Sequence, residues 1–183
     1  MRYVALLRGI NVGGKNLIKM PALKAAFEED GFWDVATYIQ SGNVLFETSR
    51  SKRDLARDIE AVLEATFRLP LLVVVRSHAQ LAGVVAGAPK GFGRDPEAYR
   101  YDVVFLKEPL TASAAMKGLT TKEGVDAVAA GKGVLYFSRL TARATQSRLN
   151  RVASIPAYKS MTIRNWNTTT KLLALLDARA AGS

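Results

Sequence analysis

The chain has 183 residues, 49% of them hydrophobic, and a formal net charge of +10. This length allows one compact domain or two small ones, and no apolar run approaches the roughly 18 residues of a membrane-spanning helix. The chain has no cysteine and a single histidine, His78. This composition excludes disulfides, thiol catalysis and the common cysteine- or histidine-rich metal sites. We therefore expect a cytoplasmic protein with no membrane segment, no metal and no other cofactor.

The first 77 residues predict the element order β-α-β-β-α-β. Pro21 favours a helix start, Gly31 a helix end, and Ser41-Gly42-Asn43 a turn between two strands. The strands are expected at residues 2–8, 34–40, 44–47 and 71–76, and the helices at residues 21–29 and 51–67.

The remaining sequence predicts the same order again. A Gly- and Pro-rich segment at residues 87–96 marks the best candidate boundary loop. Strands are expected at residues 101–106, 124–128, 134–138 and 160–164, and helices at 80–85, 111–119, 144–152 and 168–180. The repeated order predicts an α+β fold of two ferredoxin-like subdomains, residues 1–77 and residues 78–183, the second carrying the C-terminal helix. A single mixed sheet in a larger α+β domain is the alternative.

Charge is distributed unevenly along the chain. Residues 1–126 carry 17 basic and 15 acidic side chains, whereas residues 127–183 carry 9 basic and 1 acidic. This asymmetry favours an anionic partner for the C-terminal part, although a solvated basic surface explains it equally simply. The side chains expected to form one positive surface are Arg139, Arg143, Arg148, Arg151, Lys159, Arg164 and Lys171.

A glycine-rich loop at residues 9–16, the glycine loop, follows the first strand. It nearly matches the phosphate-binding pattern G-x-x-x-x-G-K-[ST], but Asn16 replaces the hydroxyl that would hold magnesium. The next helix is expected to begin near Pro21, so no helix N-terminus points at the loop. Nucleotide hydrolysis is therefore disfavoured. Anion binding by backbone N–H groups with Lys15 or Arg8 is a weaker hypothesis, and a tight connection without a ligand is the alternative.

Topology places this loop beside the predicted turn. In a β-α-β-β-α-β unit the first two strands run parallel with the third between them, so the glycine loop and residues 41–43 share one sheet edge. We expect a polar, anion-binding edge there, which residues from the second subdomain could complete. The alternative is that the turn and the segment before the last helix, with Asn167 or Thr168 as its N-cap, are purely structural. The candidate residues are Arg8, Asn11, Gly13, Gly14, Lys15, Ser41 and Asn43, with Arg164 and Asn165.

Three stretches carry a resemblance to a known family. They are ALLRGINVGGKNLIKM at residues 5–20, TYIQSGNVLF at residues 37–46 and RNWNTTTKLLALL at residues 164–176. The chain resembles the bacterial family called "domain of unknown function 1697" over essentially its whole length. The resemblance implies two fused ferredoxin-like subdomains, and it implies no activity, cofactor or catalytic residue.

Two functions from different classes follow. The first is a protein that binds nucleic acid or another polyanion with a basic C-terminal surface. The strands YVALLR and VLFET lack the aromatic signature of the common RNA-recognition motif, so a standard version of that motif is excluded. The second is an enzyme or binding protein for a small phosphorylated or carboxylated metabolite at the glycine loop. No paired carboxylates, base or nucleophile stand out, so enzymatic activity, catalytic residues and protein partners stay undecided.

Overall fold

A computed structural model of the protein describes residues 1–181. The chain divides into two compact units. The first contains Met1–Leu81 together with the chain from Leu172, and the second contains Ala82–Lys171. Each unit is built on one four-stranded antiparallel sheet, as expected for two ferredoxin-like subdomains. No helix among residues 1–181 combines the length and the apolar character needed to cross a bilayer.

The first unit has the expected element order. The elements are β1 (Arg2–Leu7), α1 (Met20–Glu29), β2 (Trp33–Tyr38), β3 (Asn43–Glu47), α2 (Lys52–Phe67) and β4 (Val73–Ser77). The sheet order is β2-β3-β1-β4, which is the ferredoxin-like arrangement with β3 between the parallel strands β1 and β2.

One face of this sheet packs against α1 and α2. Alternate residues of β1 point to that face, because successive side chains of a strand project to opposite sides. Aromatic rings form its centre, with Phe46 stacked on Tyr3 (centroids 5.7 Å apart) and edge-on to Phe27 and Phe32 (5.4 and 4.9 Å). All four rings are buried. Burying each large apolar side chain contributes about 1.5–3 kcal/mol, so this cluster is a major part of the unit's core.

The second unit repeats the sheet arrangement of the first. Its elements are β5 (Tyr99–Leu106), α4 (Ala112–Met116), β6 (Asp126–Gly131), β7 (Val134–Leu140) and β8 (Met161–Asn165). The strand order is β6-β7-β5-β8, and the last strand, weak in the sequence pattern, forms five pairs with β5. The apolar sheet residues of the core include Val104, Leu135 and Phe137.

The prediction of one continuous helix at residues 144–152 is wrong. Three 3-10 segments occupy this part of the chain: Thr141–Gln146, Arg148–Ser154 and Pro156–Ser160. The residues between them, Ser147 and Ile155, have extended backbone, with ψ of 130° and 144°. A continuous helix is prevented because the carboxylate of Asp126 binds the hydroxyl of Ser147 and the backbone N–H of the next residue, as described below.

The division of the chain into units falls within two further helices, α3 (His78–Ala86) and α5 (Trp166–Ala181). The sequence division at residue 77 assigned all of α5 to the second subdomain, but its part from Leu172 clusters with the first unit. Side chains explain the grouping: Asp177 Oδ1 lies 2.6 Å from His78 Nε2, and Arg179 donates to the carboxylate of Asp34 at 3.0 Å.

Candidate functional site

The glycine loop of the first unit is held in shape by two asparagines. Asn11 Nδ2 donates to the carbonyls of Ile18 and Gln40, both at 2.9 Å, and Asn11 Oδ1 accepts from the N–H of Ile18 at 2.8 Å. Asn16 Nδ2 donates to the carbonyl of Gly9 at 2.9 Å. Both asparagines have positive φ, 55° and 50°, which asparagine tolerates better than most residues. Their side-chain amides therefore organise the loop itself.

The turn at residues 41–43 lies directly against this loop. The N–H of Leu7 donates to the carbonyl of Gly42 at 2.8 Å. A Cβ on Gly42 would lie 2.8 Å from Ile10 Cδ1, and its φ is +81°, so only glycine fits here without strain. The loop after β1 and the turn between β2 and β3 thus share one edge, as the topology predicted.

Most of the glycine loop is exposed, from residue 12 to residue 16. Gly13, Gly14 and Lys15 are exposed, whereas Arg8 and Ser41 are half-buried. No helix begins at Lys15, because α1 starts five residues later. The loop therefore lacks the helix that follows the lysine in nucleotide-hydrolysing proteins. Anion binding at these residues stays a prediction.

Asn43 differs from the other candidates because it is fully buried. Its Nδ2 donates to the carbonyl of Tyr38 at 2.9 Å and to Ser41 Oγ at 3.0 Å. Buried amides need such partners, since an unsatisfied one costs about 1–3 kcal/mol. We infer that Asn43 stabilises the turn.

The remaining two candidates lie in the second unit. Arg164, in β8, is buried, and its Nη1 donates to Thr162 Oγ1 at 3.1 Å and to the carbonyl of Ile163 at 2.8 Å. Burial lowers the pKa of Arg164 to about 10, which leaves the guanidinium protonated at neutral pH. It is therefore an internal charge rather than part of a basic surface.

Asn165 is exposed and immediately precedes the last helix. Its Oδ1 accepts from the N–H of Thr168 at 2.7 Å, which makes it the N-cap. The expected cap at Asn167 or Thr168 is wrong because α5 starts at Trp166, earlier than the polar pattern indicated.

The predicted basic surface is only partly present. Besides Arg164, Arg139 is largely buried, with 22% of its side chain exposed, and it forms an ion pair with Asp102. Arg148 and Arg151 are exposed, and residues three apart in a 3-10 helix point to the same side. The other predicted members that are exposed are Arg143, Lys159 and Lys171.

The second unit contains a cleft that the sequence did not predict, here called the aromatic cleft. It has a volume of about 430 Å³ and runs along β6 beside residues 89–92. Tyr99 and Tyr101 line it from alternate positions of β5, and Tyr99 is 37% exposed. Phe92 packs edge-on against Tyr101 (4.9 Å) and Tyr136 (5.3 Å), so the rings on one side are fixed.

A second cleft of about 380 Å³, the polar cleft, shares Tyr99 and Tyr101 with the first. Polar groups line much of the polar cleft, among them the exposed Arg100. Asp102 is paired with Arg139, which also donates to Asn150 at 2.9 Å. The remaining lining residues are Gly93, Pro96, Asn165, Trp166 and Asn167.

A signal for these clefts was present in the sequence. Tyr99 and Tyr101 are spaced by two, which places both rings on one face of a strand. The same spacing occurs in any strand that buries one face in a core. It therefore predicts a strand but does not predict whether the two rings are exposed. Only the fold shows that the segment carrying Phe92 covers part of this face and leaves the tyrosines accessible.

Asp126 lies at the end of the aromatic cleft and is almost fully buried. Its Oδ2 accepts from Ser147 Oγ at 2.6 Å and from the N–H of Arg148 at 2.7 Å, and its Oδ1 accepts from the N–H of Lys122. Burial alone would raise the pKa of this carboxyl, but these bonds and one from Leu149 outweigh it and hold the pKa below 3.8. The carboxylate is thus a structural anchor and not a free base.

No group of three or more His, Cys, Asp or Glu side chains within residues 1–181 is arranged to hold a metal ion. The titratable groups that line the two clefts are three tyrosines, two arginines, one lysine and two aspartates, and both aspartates, Asp102 and Asp126, are engaged within the unit. Burial raises the pKa of Tyr136, whose hydroxyl donates to the carbonyl of Val84 at 2.7 Å. The arrangement offers ring faces and positive charge, which suit binding better than acid–base chemistry.

Comparison with known proteins supports the resemblance seen in the motifs. Residues 1–136 match the profile of a family described as "Protein of unknown function (DUF1697)". The solved structure of the conserved bacterial protein SP0830 from Streptococcus pneumoniae is similar, with a TM-score of 0.84 and 27% sequence identity. The match covers 96% of this chain and 98% of that one. No curated protein matches the sequence.

Proposed function

The chain belongs to the DUF1697 family of proteins of unknown function, and from its geometry we propose that it binds single-stranded nucleic acid through the aromatic cleft of its second unit. The observation that carries the proposal is the pair Tyr99 and Tyr101, which line both the aromatic and the polar cleft. The proposal moves the expected polyanion site from the C-terminal basic surface to this face of the sheet.

Stacking is the first reason. Exposed aromatic side chains on a sheet provide platforms for unpaired bases, each stack being worth about 1–3 kcal/mol. The centroids of the Tyr99 and Tyr101 rings lie 6.0 Å apart, with an interplanar angle of 33°. Two neighbouring bases of one strand therefore have one ring each to stack on. Phe92 supports the Tyr101 ring from the side at 4.9 Å, which lowers the entropy lost on stacking.

Positive charge around the clefts is the second reason. Lys90 lines the aromatic cleft, Arg100 lines the polar cleft, and both are exposed. The planar fork of Arg100 suits phosphate oxygens of a strand that passes along the polar cleft. Arg139 serves less well because it is engaged by Asp102.

Replacing Tyr101 by alanine is expected to weaken binding of single-stranded RNA by about 5- to 100-fold, because one stacking platform is lost. Tyr101→Phe keeps the ring and should bind almost as the parent does. The measurement is fluorescence anisotropy with a labelled oligonucleotide of about ten nucleotides, as RNA, as DNA and as the duplex. Trp33→Ala is the matched control, since Trp33 is an exposed aromatic residue of the first unit.

Salt titration separates phosphate contacts from stacking. Arg100→Ala should reduce the slope of log K against log salt by about one, whereas Tyr101→Ala should leave the slope nearly unchanged. Binding that is absent in the parent, stronger for duplex than for single strands, or equally weakened by Trp33→Ala would refute the proposal.

The glycine loop supports a second candidate function, binding of a small phosphorylated ligand. The observation that favours it is the open backbone at Gly13 and Gly14, whose φ values are +57° and +73° and whose Cβ positions meet nothing within 4 Å. Lys15 adds an exposed charge next to these N–H groups. Successive N–H groups in such loops form concave anion sites.

Pyrophosphate is the probe for this candidate. We expect pyrophosphate to raise the melting temperature of the parent, because a ligand that binds only the folded state stabilises that state. The melting temperature of Lys15→Ala should not change. Lys132→Ala, which removes an exposed lysine from the hairpin of the second unit, is the control. A shift that persists in Lys15→Ala, or no shift with the parent, rules the loop site out.

A further inference from the structure

β6 forms one edge of the second sheet and pairs with β7. The N–H of Leu140 donates to the carbonyl of Val125 at 2.7 Å, so these two residues form a hydrogen-bonded pair. Bonded and non-bonded pairs alternate in antiparallel strands, so the odd-numbered residues of β6 bond to β7. The backbone N–H and C=O groups of Val128 and Ala130 therefore point away from the sheet.

The edge strand of the first unit, β4, shows how such outward groups are treated elsewhere in this protein. Glu60 Oε1 accepts from the outward N–H of Val73 at 2.7 Å. Arg76 Nη1 donates to the outward carbonyl of Val75 at 2.9 Å. Side chains thus occupy positions that another strand would need, which is a common protection against edge-to-edge pairing.

The remaining two edges are protected in the same way. In β8, Arg164 Nη1 donates to the outward carbonyl of Ile163 at 2.8 Å. In β2, Arg179 donates to the carbonyl of Asp34, and the ladder is interrupted by a bulge. Among residues 1–181, no comparable bond occupies the outward groups of β6 at Val128 and Ala130. The edge of β6 is the exception to a rule that the other three edges follow.

We propose that the edge of β6 pairs with β6 of a second copy of this chain, joining two second-unit sheets across a two-fold axis. The strand has six residues, DAVAAG, and Ala127 and Ala130 are exposed. Its small side chains leave the backbone accessible, and neither proline nor an outward lysine interrupts it, as either would in a protected edge.

The sequence of β6 is complementary to itself when it runs antiparallel. Pairing the outward residues sets Val128 opposite the partner's Val128, and Asp126 opposite the partner's Ala130. At Asp126 only the carbonyl is open to the partner, because its N–H donates to the carbonyl of Lys122 at 3.0 Å. The exposed Glu123, before one strand, then lies near the exposed Lys132, after the other. Like charges directly opposite each other, which would oppose pairing, are avoided. A single six-residue pair is small beside the standard interface of about 1,200–2,000 Å², so the dimer should be concentration-dependent.

Sedimentation velocity over a dilution series tests the proposal. The parent should shift from monomer to dimer as its concentration rises into the millimolar range. Ala130→Pro removes two symmetry-related outward N–H donors and should weaken association by about tenfold or more, while the bonds to β7 remain. Ala130→Thr keeps the N–H and is the matched control. A parent that stays monomeric throughout, or a dimer that Ala130→Pro leaves intact, overturns the proposal.

A cysteine variant keeps the proposal testable even if the proline variant fails to fold. Because the chain has no cysteine, Val128→Cys introduces a unique thiol. In the proposed pairing the two Cα atoms are about 5.5 Å apart, within disulfide range. Mild oxidation should give a covalent dimer of Val128→Cys at a concentration where Ser113→Cys, an exposed position on α4, stays monomeric. Equal cross-linking of both variants, or of neither, contradicts the edge pairing.

Discussion

Replacing Asp126 by alanine is expected to destabilise the protein by about 3 kcal/mol or more. The substitution leaves the hydroxyl of Ser147 and the N–H groups of Lys122 and Arg148 without their acceptor inside the second unit. Each unsatisfied buried donor costs about 1–3 kcal/mol, and losses of this size arise when a buried polar network is broken. Denaturant unfolding of parent and variant measures the difference.

The control for this experiment is Asp95→Ala. Asp95 also accepts a backbone N–H, that of Ala98 at 3.1 Å, but it is exposed. We expect Asp95→Ala to lower the free energy of unfolding by about 1 kcal/mol, the usual value for an exposed cap or turn. If both variants lose the same stability, the carboxylate of Asp126 does not anchor the 3-10 segments in the way inferred above.

The same residue makes stability depend on pH. The pKa of Asp126 is lower in the folded protein than its ordinary value of 3.8. The unfolded chain therefore binds its proton first as the pH falls, and the contribution of Asp126 is complete above pH 3.8 and is lost as the pH falls through the folded-state pKa. The parent should lose more stability below pH 3.8 than Asp126→Ala does. Parallel acid profiles for the two proteins would contradict this assignment.

Gly93→Ala is expected to have the second largest effect, about 2–5 kcal/mol of lost stability. Gly93 has φ of +79°, and a Cβ placed there would overlap the indole ring of Trp166. That indole cannot easily move, because Phe92 packs edge-on against it at 5.1 Å. Overpacking of this kind costs about 1–3 kcal/mol in addition to about 1–2 kcal/mol for a left-handed backbone.

Gly91→Ala separates the two contributions. Gly91 has nearly the same φ, +83°, but a Cβ there meets nothing within 4 Å. Gly91→Ala should therefore lose only the stability that the left-handed backbone costs, about 1–2 kcal/mol. Thermal unfolding gives the stabilities, and tryptophan fluorescence reports the displaced indole in Gly93→Ala alone. Equal effects of the two substitutions would mean that contact with Trp166 does not constrain this segment.

The order of elements follows from local sequence, since alternation and helical spacing are visible within one segment. The β-α-β-β-α-β order of the first unit and the turn at Gly42 were predictable for this reason. The shared edge of the glycine loop and that turn also followed, because strand order dictates which loops meet. The failure at residues 144–152 has the opposite cause: the carboxylate of Asp126, about twenty residues away in sequence, decides the local backbone.

What the candidate residues do was decided by tertiary structure. From the sequence alone, Asn11 and Asn43 are polar groups available to a ligand, but folding turns their amides inward to hold a loop and a turn. Tyr99 and Tyr101 look like ordinary strand residues, yet folding leaves their rings accessible in two clefts. Composition and spacing determine which groups a chain contains and which element carries them. Whether a group faces solvent, a partner or a buried carbonyl depends on segments far apart in sequence, and only their packing decides it.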